Sequence, residues 1–486
     1  MSLLPPTSIS EWLAPDSPAI GQAIRRVASP GYEPWWSRCA SVGFCANPIH
    51  ASAYDPGTGR RVAVMLRCGN RRAAICPSRS DIYAADTWQL VHAGACGGHH
   101  GMPEDTATRP QVFATLTAPG FGAVHTSHSR PGHTGRACHA SSASGMTHCT
   151  HGKPLSCNMV HHTDDPAVGQ PLCEQCYDYT GHVLFNWHAP ELWRRFTIAL
   201  RRAVARHLRS VGADPDALRV SFVKVAEYQR RAAIHYHTLI RLDTTAADGA
   251  AEESEPVVSA VELAALVRAA ANQVRVPVES STASPGETCP PRVLRFGAQI
   301  DTQPLTAPSD TTQPSQGLAR RVAAYLAKYT TKSVAEFGIA ARRISPAAIA
   351  ELDIPAHTRR ILTTLAQLAA LPGNSAMLAW LHTLGYRGHI TTKSRRYSIT
   401  MTALRAIRHR WRQHHTDQPE PADLQRNSPD RPSGAIAIDD LDDWRIAGAG
   451  HRNDGERLLV HTAAHQARQH RYLARLHAGD QHEASP

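Results

Sequence analysis

Residues 220–242 have the sequence VSFVKVAEYQRRAAIHYHTLIRL, and this stretch decides the fold of the chain. Its two halves, 220–225 and 233–242, are rich in Val, Ile, Phe and Tyr, a composition typical of β-strands. The polar residues 229–231 between them indicate a turn. We therefore predict two strands that can pair as a β-hairpin, and an antiparallel sheet around them.

Two histidines lie two positions apart in the second strand. Because alternate residues of a strand face the same side, His235 and His237 present two imidazoles side by side, whereas Tyr236 faces the other way. If the strands pair, the carboxylate of Glu227 can reach the same face. Two imidazoles and one carboxylate suit a divalent ion that polarises a phosphate oxygen. The chain has 29 histidines, so a chance His-x-His is not rare, and this motif taken alone favours two histidines that simply line a surface.

A predicted helix over residues 317–332 carries two tyrosines. Their separation of four positions places Tyr325 and Tyr329 on one helix face. A phenol has a pKa of about 10, and a nearby cation or metal ion favours its phenolate as a nucleophile. Lys328 and Lys332 could supply that charge or hold phosphates. The alternative is that both tyrosines pack in the core with their hydroxyl tips at the surface.

Six segments, taken in order, resemble one known family over roughly residues 36–412. Three are its first strand, metal and two-tyrosine motifs, which here are VFATLT (112–117), VAEYQRR followed by HYH (225–231, 235–237) and YLAKY (325–329). Three further similar segments are CGNRR (68–72), ELWRRFT (191–197) and GHITTKSRRYS (388–398). The chain thus resembles the RepSA-like rolling-circle replication initiators of actinobacterial plasmids and integrative conjugative elements. These are similar to the wider HUH endonuclease superfamily, where U is a bulky hydrophobic residue.

The resemblance implies a mechanism and its cofactor. One tyrosine would attack a phosphodiester of origin DNA and stay linked to the 5′ phosphate, and the freed 3′ hydroxyl would prime synthesis. The second tyrosine, or a reverse attack, would close the circle. His235 and His237, with Glu227 as third ligand, would hold Mg²⁺ or Mn²⁺. The sequence has no Walker phosphate loop, so a host helicase and polymerase are expected partners.

The order of predicted elements fits an α+β fold, and the resemblance implies that this fold is an HUH endonuclease core. Its antiparallel sheet would be ferredoxin-like in outline, with helices on one face, a zinc-binding insertion and a mostly helical C-terminal region. The predicted elements are strand 111–117, helix 190–210 with Pro190 in its first position, strands 219–227 and 233–242, helix 257–274, strand 293–301 and helix 317–332.

Three regions are expected along the chain. An N-terminal cysteine-containing region spans residues 1–105, the endonuclease core 106–335 and the basic helical region 336–486. An acidic linker is predicted at 243–256 and a disordered linker at about 413–440.

Composition limits the class of protein. A chain of 486 residues is too long for one ordinary domain. A formal net charge of +11 and a pI near 9.3 fit a polyanionic partner such as DNA. The sequence has no apolar run near the ~20 residues that a membrane span needs, and its first residues lack the features of a secretory signal. A cytoplasmic protein is expected.

In that compartment the 11 cysteines are expected to be thiols or metal ligands. The stretch of about 133–180, rich in Gly, Pro, Ser and His, has little helix or strand pattern and suits folding around zinc. We expect one structural zinc there, with Cys173 and Cys176 as its surest ligands. The others would come from Cys138, Cys149 and Cys157, or from a neighbouring histidine. The alternative is a flexible loop with free thiols.

A second cysteine cluster lies nearer the N-terminus and contains Cys39, Cys45, Cys68 and Cys76. The family that the chain resembles usually continues Cys-Pro-x-Cys at this point, but here Arg79 follows Cys76-Pro-Ser. Either the four cysteines complete a second zinc site, or that site has been lost.

Two basic runs with interleaved aromatic residues suit contact with phosphates and stacking on bases. Their candidate DNA-binding residues, with Lys332, are Lys393, Arg395, Arg396, Arg410 and Arg412. The alternative for each run is a solvated helix face.

The leading interpretation is a single-strand nicking replication initiator. Its rivals are a relaxase or single-strand transposase with the same chemistry, and a non-catalytic zinc-containing DNA-binding regulator.

Overall fold

The computed structural model describes residues 12–14, 16–127, 136–139, 147–245, 257–279, 281–284, 287–289, 291–305, 314–332, 334–339, 343–416 and 441–483. The chain divides into two compact units. The first is formed by Met1–Asp86 together with Thr400–Pro486, and the second is Thr87–Ile399.

Nine helices and twelve strands are numbered here in chain order within the described residues. They are α1 (Ala19–Val27), α2 (Tyr32–Ser41), β1 (Ile49–Asp55), β2 (Arg60–Leu66), α3 (Pro77–Cys96), β3 (Gln111–Leu116), α4 (Tyr179–Ser210), β4 (Leu218–Tyr228), β5 (Ile234–Thr244), α5 (Ala260–Gln273), β6 (Val276–Val278), β7 (Ser281–Ser284), β8 (Glu287–Cys289), β9 (Arg292–Leu294), β10 (Ile300–Pro304), α6 (Pro314–Tyr329), α7 (Ala356–Ala369), β11 (Thr391–Lys393), α8 (Met401–Thr416), β12 (Asp442–Ala449) and α9 (Asp454–Glu483). Short 3₁₀ helices lie at Glu104–Thr108, Val334–Phe337, Pro346–Glu351 and Ser375–Thr383.

The second unit is built on a five-stranded antiparallel sheet with the order β10-β3-β5-β4-β11. The predicted hairpin is its centre, since β4 and β5 pair along their whole length and place Glu227 opposite His235. Even-numbered positions such as Phe222 and Tyr236 face the core, where Trp193 of α4 packs against both rings. The prediction of an α+β fold with an antiparallel sheet is confirmed.

Helices pack on both faces of this sheet, not on one face as expected. Helix α4 lies against the even-numbered face of the hairpin. Helix α6 lies against the opposite face, where Tyr325 contacts His237. The reason is that the odd-numbered positions are also buried, so this face too must be covered.

Helix α4 starts earlier than predicted, and Pro190 lies inside it. The Asp178 side chain accepts the Gly181 amide at 2.9 Å and caps the helix start. An interior proline costs about 3 kcal/mol. That cost is offset because the preceding turns are buried and because Asn186 hydrogen-bonds the Ile234 amide at 2.9 Å.

The predicted acidic linker at 243–256 begins too early. Strand β5 runs through Thr244, and the buried carboxylate of Asp243 accepts a 2.6 Å hydrogen bond from Arg241 Nε. Residues 246–256 lie outside the described part of the chain.

The single strand predicted at 293–301 is instead two short strands, β9 and β10.

The first unit contains a three-stranded antiparallel sheet with the order β12-β1-β2. Strand β12 comes from the region predicted to be mostly helical, and its pairing with β1 joins the two ends of the chain in one unit. The division therefore differs from three consecutive regions at 1–105, 106–335 and 336–486. Helix α8 extends to Thr416, so only 417–440 of the predicted disordered linker lies outside the described residues.

None of the helices among the described residues has the length and apolar character needed to cross a membrane.

Candidate functional site

Three side chains converge on the odd-numbered face of the hairpin. Glu227 Oε2 lies 3.2 Å from His235 Nε2 and 3.0 Å from His237 Nε2. The register of the hairpin causes this, because Glu227 is directly opposite His235 and lies two residues from Val225, the partner of His237, on the same face of the sheet. The three ligand atoms lie within 4.8 Å of one another and can hold one metal ion.

Neighbouring side chains fix the orientation of this triad. Thr115 on β3 is opposite His237, and its Oγ1 lies 3.1 Å from His237 Nδ1. The contact leaves Nε2 directed at Glu227. Phe113 stacks against the His237 ring with a centroid distance of 6.0 Å. Such outer contacts set the tautomer and ring orientation of a histidine ligand.

Both predicted tyrosines lie beside the triad. The Tyr325 hydroxyl is 3.4 Å from His237 Nε2, and the centroids of the two tyrosine rings are 4.6 Å apart. The Tyr329 ring stacks on His237 at 5.3 Å. Tyr325 is 38% exposed, so part of its side chain is open to solvent.

Burial and neighbouring groups shift the pKa values of Glu227, His237 and Tyr325. Burial acts to raise the pKa of Glu227, but hydrogen bonds from His235, His237 and Lys332 lower it to about 2. Burial lowers the pKa of His237, which favours the neutral imidazole that metal binding requires. Burial raises the pKa of Tyr325, and the contacts with Tyr329 and Glu227 raise it further.

The two lysines of the tyrosine segment have different surroundings. Lys332 Nζ donates to Glu227 Oε1 at 2.9 Å and lies 4.7 Å from the centre of the Tyr329 ring. Burial acts to lower the pKa of Lys332, but its hydrogen bond with Glu227 raises it above the ordinary value. Lys328 is exposed, with Nζ 5.9 Å from the same ring centre. Lys332 thus contacts the triad through Glu227, whereas Lys328 is open to solvent.

The five cysteines that were candidate ligands of one expected zinc fall into two separate groups, each completed by histidines. The first group is His125, Cys138, Cys157 and His161, and the second is Cys149, His151, Cys173 and Cys176. No specific histidine ligand was predicted from the sequence. The spacings Cys149-x-His151 and Cys157-x₃-His161 were the signal that could have identified two of the groups' histidines.

The N-terminal cluster brings together three of its four cysteines. The thiols of Cys45, Cys68 and Cys76 form one group, with Cys45 Sγ 3.7 Å from Cys76 Sγ. Cys39 lies outside that group of described residues; it is on the buried side of α2 with Trp35 and packs in an apolar cluster that also contains Cys45 and Cys76. Burial raises the pKa of Cys39 to about 12, which keeps the thiol protonated.

The predicted DNA-contact residues are divided between the two units. Lys393 lies in β11 beside the hairpin, and Arg395 and Arg396 are exposed next to it. Tyr397 cannot stack on bases, because it is fully buried and its hydroxyl donates to Val91 O at 3.2 Å. In α8, Arg410 is exposed. The Arg412 side chain lies outside the described part of the structure.

Comparisons with known proteins extend this picture. The family model described as RepSA, replication initiator protein, pSAM2, matches residues 31–465. A replication initiator protein of Streptomyces ambofaciens is 36% identical over 497 aligned residues, which cover 96% of this chain and 97% of the relative. No solved structure matches the chain. The resemblance found in the sequence is confirmed, and the chain belongs to the RepSA family of replication initiator proteins.

Proposed function

We propose that this protein initiates rolling-circle replication by nicking one DNA strand at the origin of a plasmid or integrative element. In this proposal the five-stranded sheet is an HUH endonuclease core of ferredoxin-like outline. Origin DNA is the substrate, and a host helicase and polymerase act after the nick. The observation that carries the proposal is the convergence of Glu227, His235 and His237 with two tyrosine hydroxyls on one face of the sheet.

The donor set fits Mg²⁺ or Mn²⁺. Adjacent ligand atoms of an octahedral ion with bonds of about 2.1 Å are about 3 Å apart. Glu227 Oε2 lies 3.0 Å and 3.2 Å from the two histidine nitrogens. His235, His237 and Glu227 would hold the ion and leave open positions for phosphate oxygens. When bound, the ion would polarise the scissile phosphate and offset the negative charge of a nearby phenolate.

The tyrosines supply the nucleophile. The attacking phenol oxygen forms a bond to phosphorus, the bond from phosphorus to the 3′ oxygen breaks, and the 5′ phosphate remains on the protein. The phenol proton is released, and the 3′ oxygen takes up a proton. One phosphoester replaces another, so the phosphotyrosine can be reversed by a later attack of a 3′ hydroxyl.

Neighbouring charges make the phenol a competent nucleophile. The raised pKa of Tyr325 means that its phenolate forms only when cations approach the site. Lys332 already lies at the triad, and exposed Lys328 is placed to contact the phosphate of a bound strand. Phe113 stacks on His237, and the Tyr325 ring meets both rings edge-on, which keeps the nucleophile beside the metal ligands.

The test is a covalent-adduct assay. Purified protein is mixed with labelled single-stranded DNA tiled across the origin of its element, with Mn²⁺ or EDTA, and resolved on a denaturing gel. We expect a metal-dependent adduct that survives boiling. The double substitution Tyr325→Phe/Tyr329→Phe should remove it.

Tyr54→Phe is the matched control, because Tyr54 is 39% exposed, close to the 38% of Tyr325, and lies in the first unit. It should form the adduct at the wild-type level. Tight origin binding without any adduct, across both single- and double-stranded substrates and in every metal tested, would support the non-catalytic regulator instead.

A further inference from the structure

We propose that residues 125–176 hold two structural zinc ions in interleaved sites, not one. The structure assigns His125, Cys138, Cys157 and His161 to site 1. It assigns Cys149, His151, Cys173 and Cys176 to site 2. Each set has four nitrogen or sulfur donors, which is the composition of closed structural zinc sites.

The distances in site 1 fit a tetrahedral ion. Zinc bonds of about 2.0–2.3 Å place the ligand atoms of a tetrahedron about 3.3–3.8 Å apart. His161 Nε2 lies 3.2 Å from His125 Nδ1 and 3.4 Å from Cys157 Sγ. Cys138 Sγ lies 3.8 Å from His125 Nδ1. All four donor atoms therefore face a common centre.

Outer contacts in site 1 are those of a metal ligand shell. His161 Nδ1 lies 2.6 Å from Asp165 Oδ2, so its Nε2 is held toward the site. The Thr126 amide donates to Cys138 Sγ at 3.1 Å, which favours a thiolate at that position. Carboxylate–histidine pairs and amide–thiolate hydrogen bonds orient ligands and stabilise their charge.

Site 2 has the same geometry with one more sulfur. His151 Nδ1 lies 3.2 Å from Cys176 Sγ and 3.8 Å from Cys173 Sγ, and Cys149 completes the group. The first two ligands lie within one tight turn, in which the Gly152 amide donates to Cys149 O at 2.9 Å. Cys173 and Cys176 form the Cys-x-x-Cys knuckle on the other side.

Along the chain the ligands alternate in pairs between the sites. The order is 125 and 138 for site 1, 149 and 151 for site 2, 157 and 161 for site 1, and 173 and 176 for site 2. Each ion therefore closes a loop that contains ligands of the other. Loss of one ion lengthens the loop that the second must close, and the conformational entropy cost of that site rises. The two ions are expected to be lost together.

The interleaved sites also order a segment that touches the predicted catalytic hairpin. Gly169 lies so close to the turn of the hairpin that a Cβ there would be 2.3 Å from Arg230 O. The Arg230 guanidinium in turn donates to Thr163 O. Residues 163–169 lie between the last ligand pair of site 1 and that of site 2. The zinc ions thus hold the segment that supports the turn between β4 and β5.

Chelator-dependent alkylation of the full-length wild-type protein tests the proposal. Thiols are labelled with N-ethylmaleimide with and without a strong zinc chelator, and each cysteine is quantified by peptide mass spectrometry. All five insertion thiols should be protected without chelator and should become reactive over the same chelator range. Cys96, which is outside every grouped site of the described residues, is the internal control and should label equally in both conditions.

Zinc content gives the second measurement. The double substitution Cys157→Ser/Cys173→Ser, one ligand from each site, should lower bound zinc by two atoms per chain relative to wild type, whereas Cys96→Ser should lower it by none. The comparison uses preparations in which Cys45 labels as in wild type, so that the N-terminal cluster does not contribute. A loss of one atom or none, or any insertion thiol whose labelling ignores the chelator, overturns the proposal.

Discussion

Thr115 and His237 lie opposite each other on β3 and β5, and Thr115 Oγ1 is 3.1 Å from His237 Nδ1. This contact connects β3 to the triad on the hairpin. It fixes which nitrogen of His237 faces Glu227, and therefore which nitrogen is available to a metal ion.

Thr115→Val should weaken metal binding, because it removes this hydrogen bond with little change in shape. Loss of an outer contact to a histidine ligand reduces metal affinity by about 10- to 100-fold. Calorimetric titration with Mn²⁺ measures the effect. Thr392→Val, on β11 of the same sheet opposite Lys224, is the control and should bind like wild type. Equal affinity for both variants would show that Thr115 does not orient the ligand.

Lys332→Gln should separate metal binding from nicking. The substitution removes the cation that donates to Glu227 at 2.9 Å, so the affinity for a divalent ion should be unchanged or higher. Nicking should fall by about 100-fold, since a preorganised donor at a reacting phosphate contributes about that much. Adduct yield and Mn²⁺ titration measure the two effects. Arg321→Gln, at an exposed position of the same helix, should alter neither; a parallel loss of both with Lys332→Gln would contradict the prediction.

Tyr325 should make the first cut. Its hydroxyl lies 3.4 Å from His237 Nε2, next to the metal ligands. Tyr325→Phe should remove the adduct formed with origin DNA. Tyr329→Phe should keep that adduct but fail to resolve it in a strand-transfer assay with a second origin strand. If instead Tyr329→Phe alone loses the first adduct, the order of the two nucleophiles is reversed.

Gly169→Ala should destabilise the protein, because the new methyl group would meet the Arg230 carbonyl at 2.3 Å and Gly169 has φ +92°. Overpacking of this kind costs about 1–3 kcal/mol. Urea denaturation gives the free energy of unfolding. Gly373→Ala is the matched control, since Gly373 has φ +82° with nothing within 4 Å of its added Cβ. The difference in the free energy of unfolding between the two variants isolates the steric contact. Equal values would argue against a close approach of Gly169 to the turn.

Asp243→Asn should lower stability most at neutral pH. Its carboxylate accepts from buried Arg241 at 2.6 Å and from Arg109 at 3.0 Å, and breaking such a buried pair costs about 3–5 kcal/mol. Burial acts to raise the pKa of Asp243, but the hydrogen bond and charge of Arg241 lower it below its ordinary value.

The pH dependence of this effect has a definite sign. Because the folded pKa of Asp243 is lowered, its stabilisation is complete above the unfolded pKa of about 3.9 and is lost as pH falls through the folded pKa. The stability gap between wild type and Asp243→Asn should therefore be widest at pH 7 and narrow below about pH 4. Urea midpoints measured from pH 7 downward check this, and a gap that stays constant would contradict it.

Local sequence pattern was sufficient to predict the central elements of the second unit. The β-rich composition of 220–225 and 233–242 predicted the hairpin, and pairing of strands with a period of two places Glu227, His235 and His237 on one face. The four-residue spacing of Tyr325 and Tyr329 likewise placed both rings on one face of α6. These relationships depend only on residues near one another in the chain, or on the pairing of adjacent strands.

Elements whose state depends on distant partners were predicted less well. Pro190 suggested a helix start, but burial of the preceding turns against the sheet extends α4 by eleven residues. Tyr397 lies in one of the two basic runs whose aromatic residues suit stacking on bases, yet it fills the space beside Gly94, where a Cβ would be 2.3 Å from its ring. Neither partner lies near in sequence.

The sequence by itself determined the family, the hairpin, the faces on which the triad and the tyrosines lie, and the abundance of thiol ligands, because each follows from residue type and short-range spacing. Only the tertiary structure decided that α6 covers the triad, that β12 pairs with β1, and that five cysteines divide between two groups with three histidines. Each of these brings together residues far apart in the chain. These contacts depend on how whole helices and strands pack to bury apolar surface, and they cannot be predicted from the spacing of residues along the sequence.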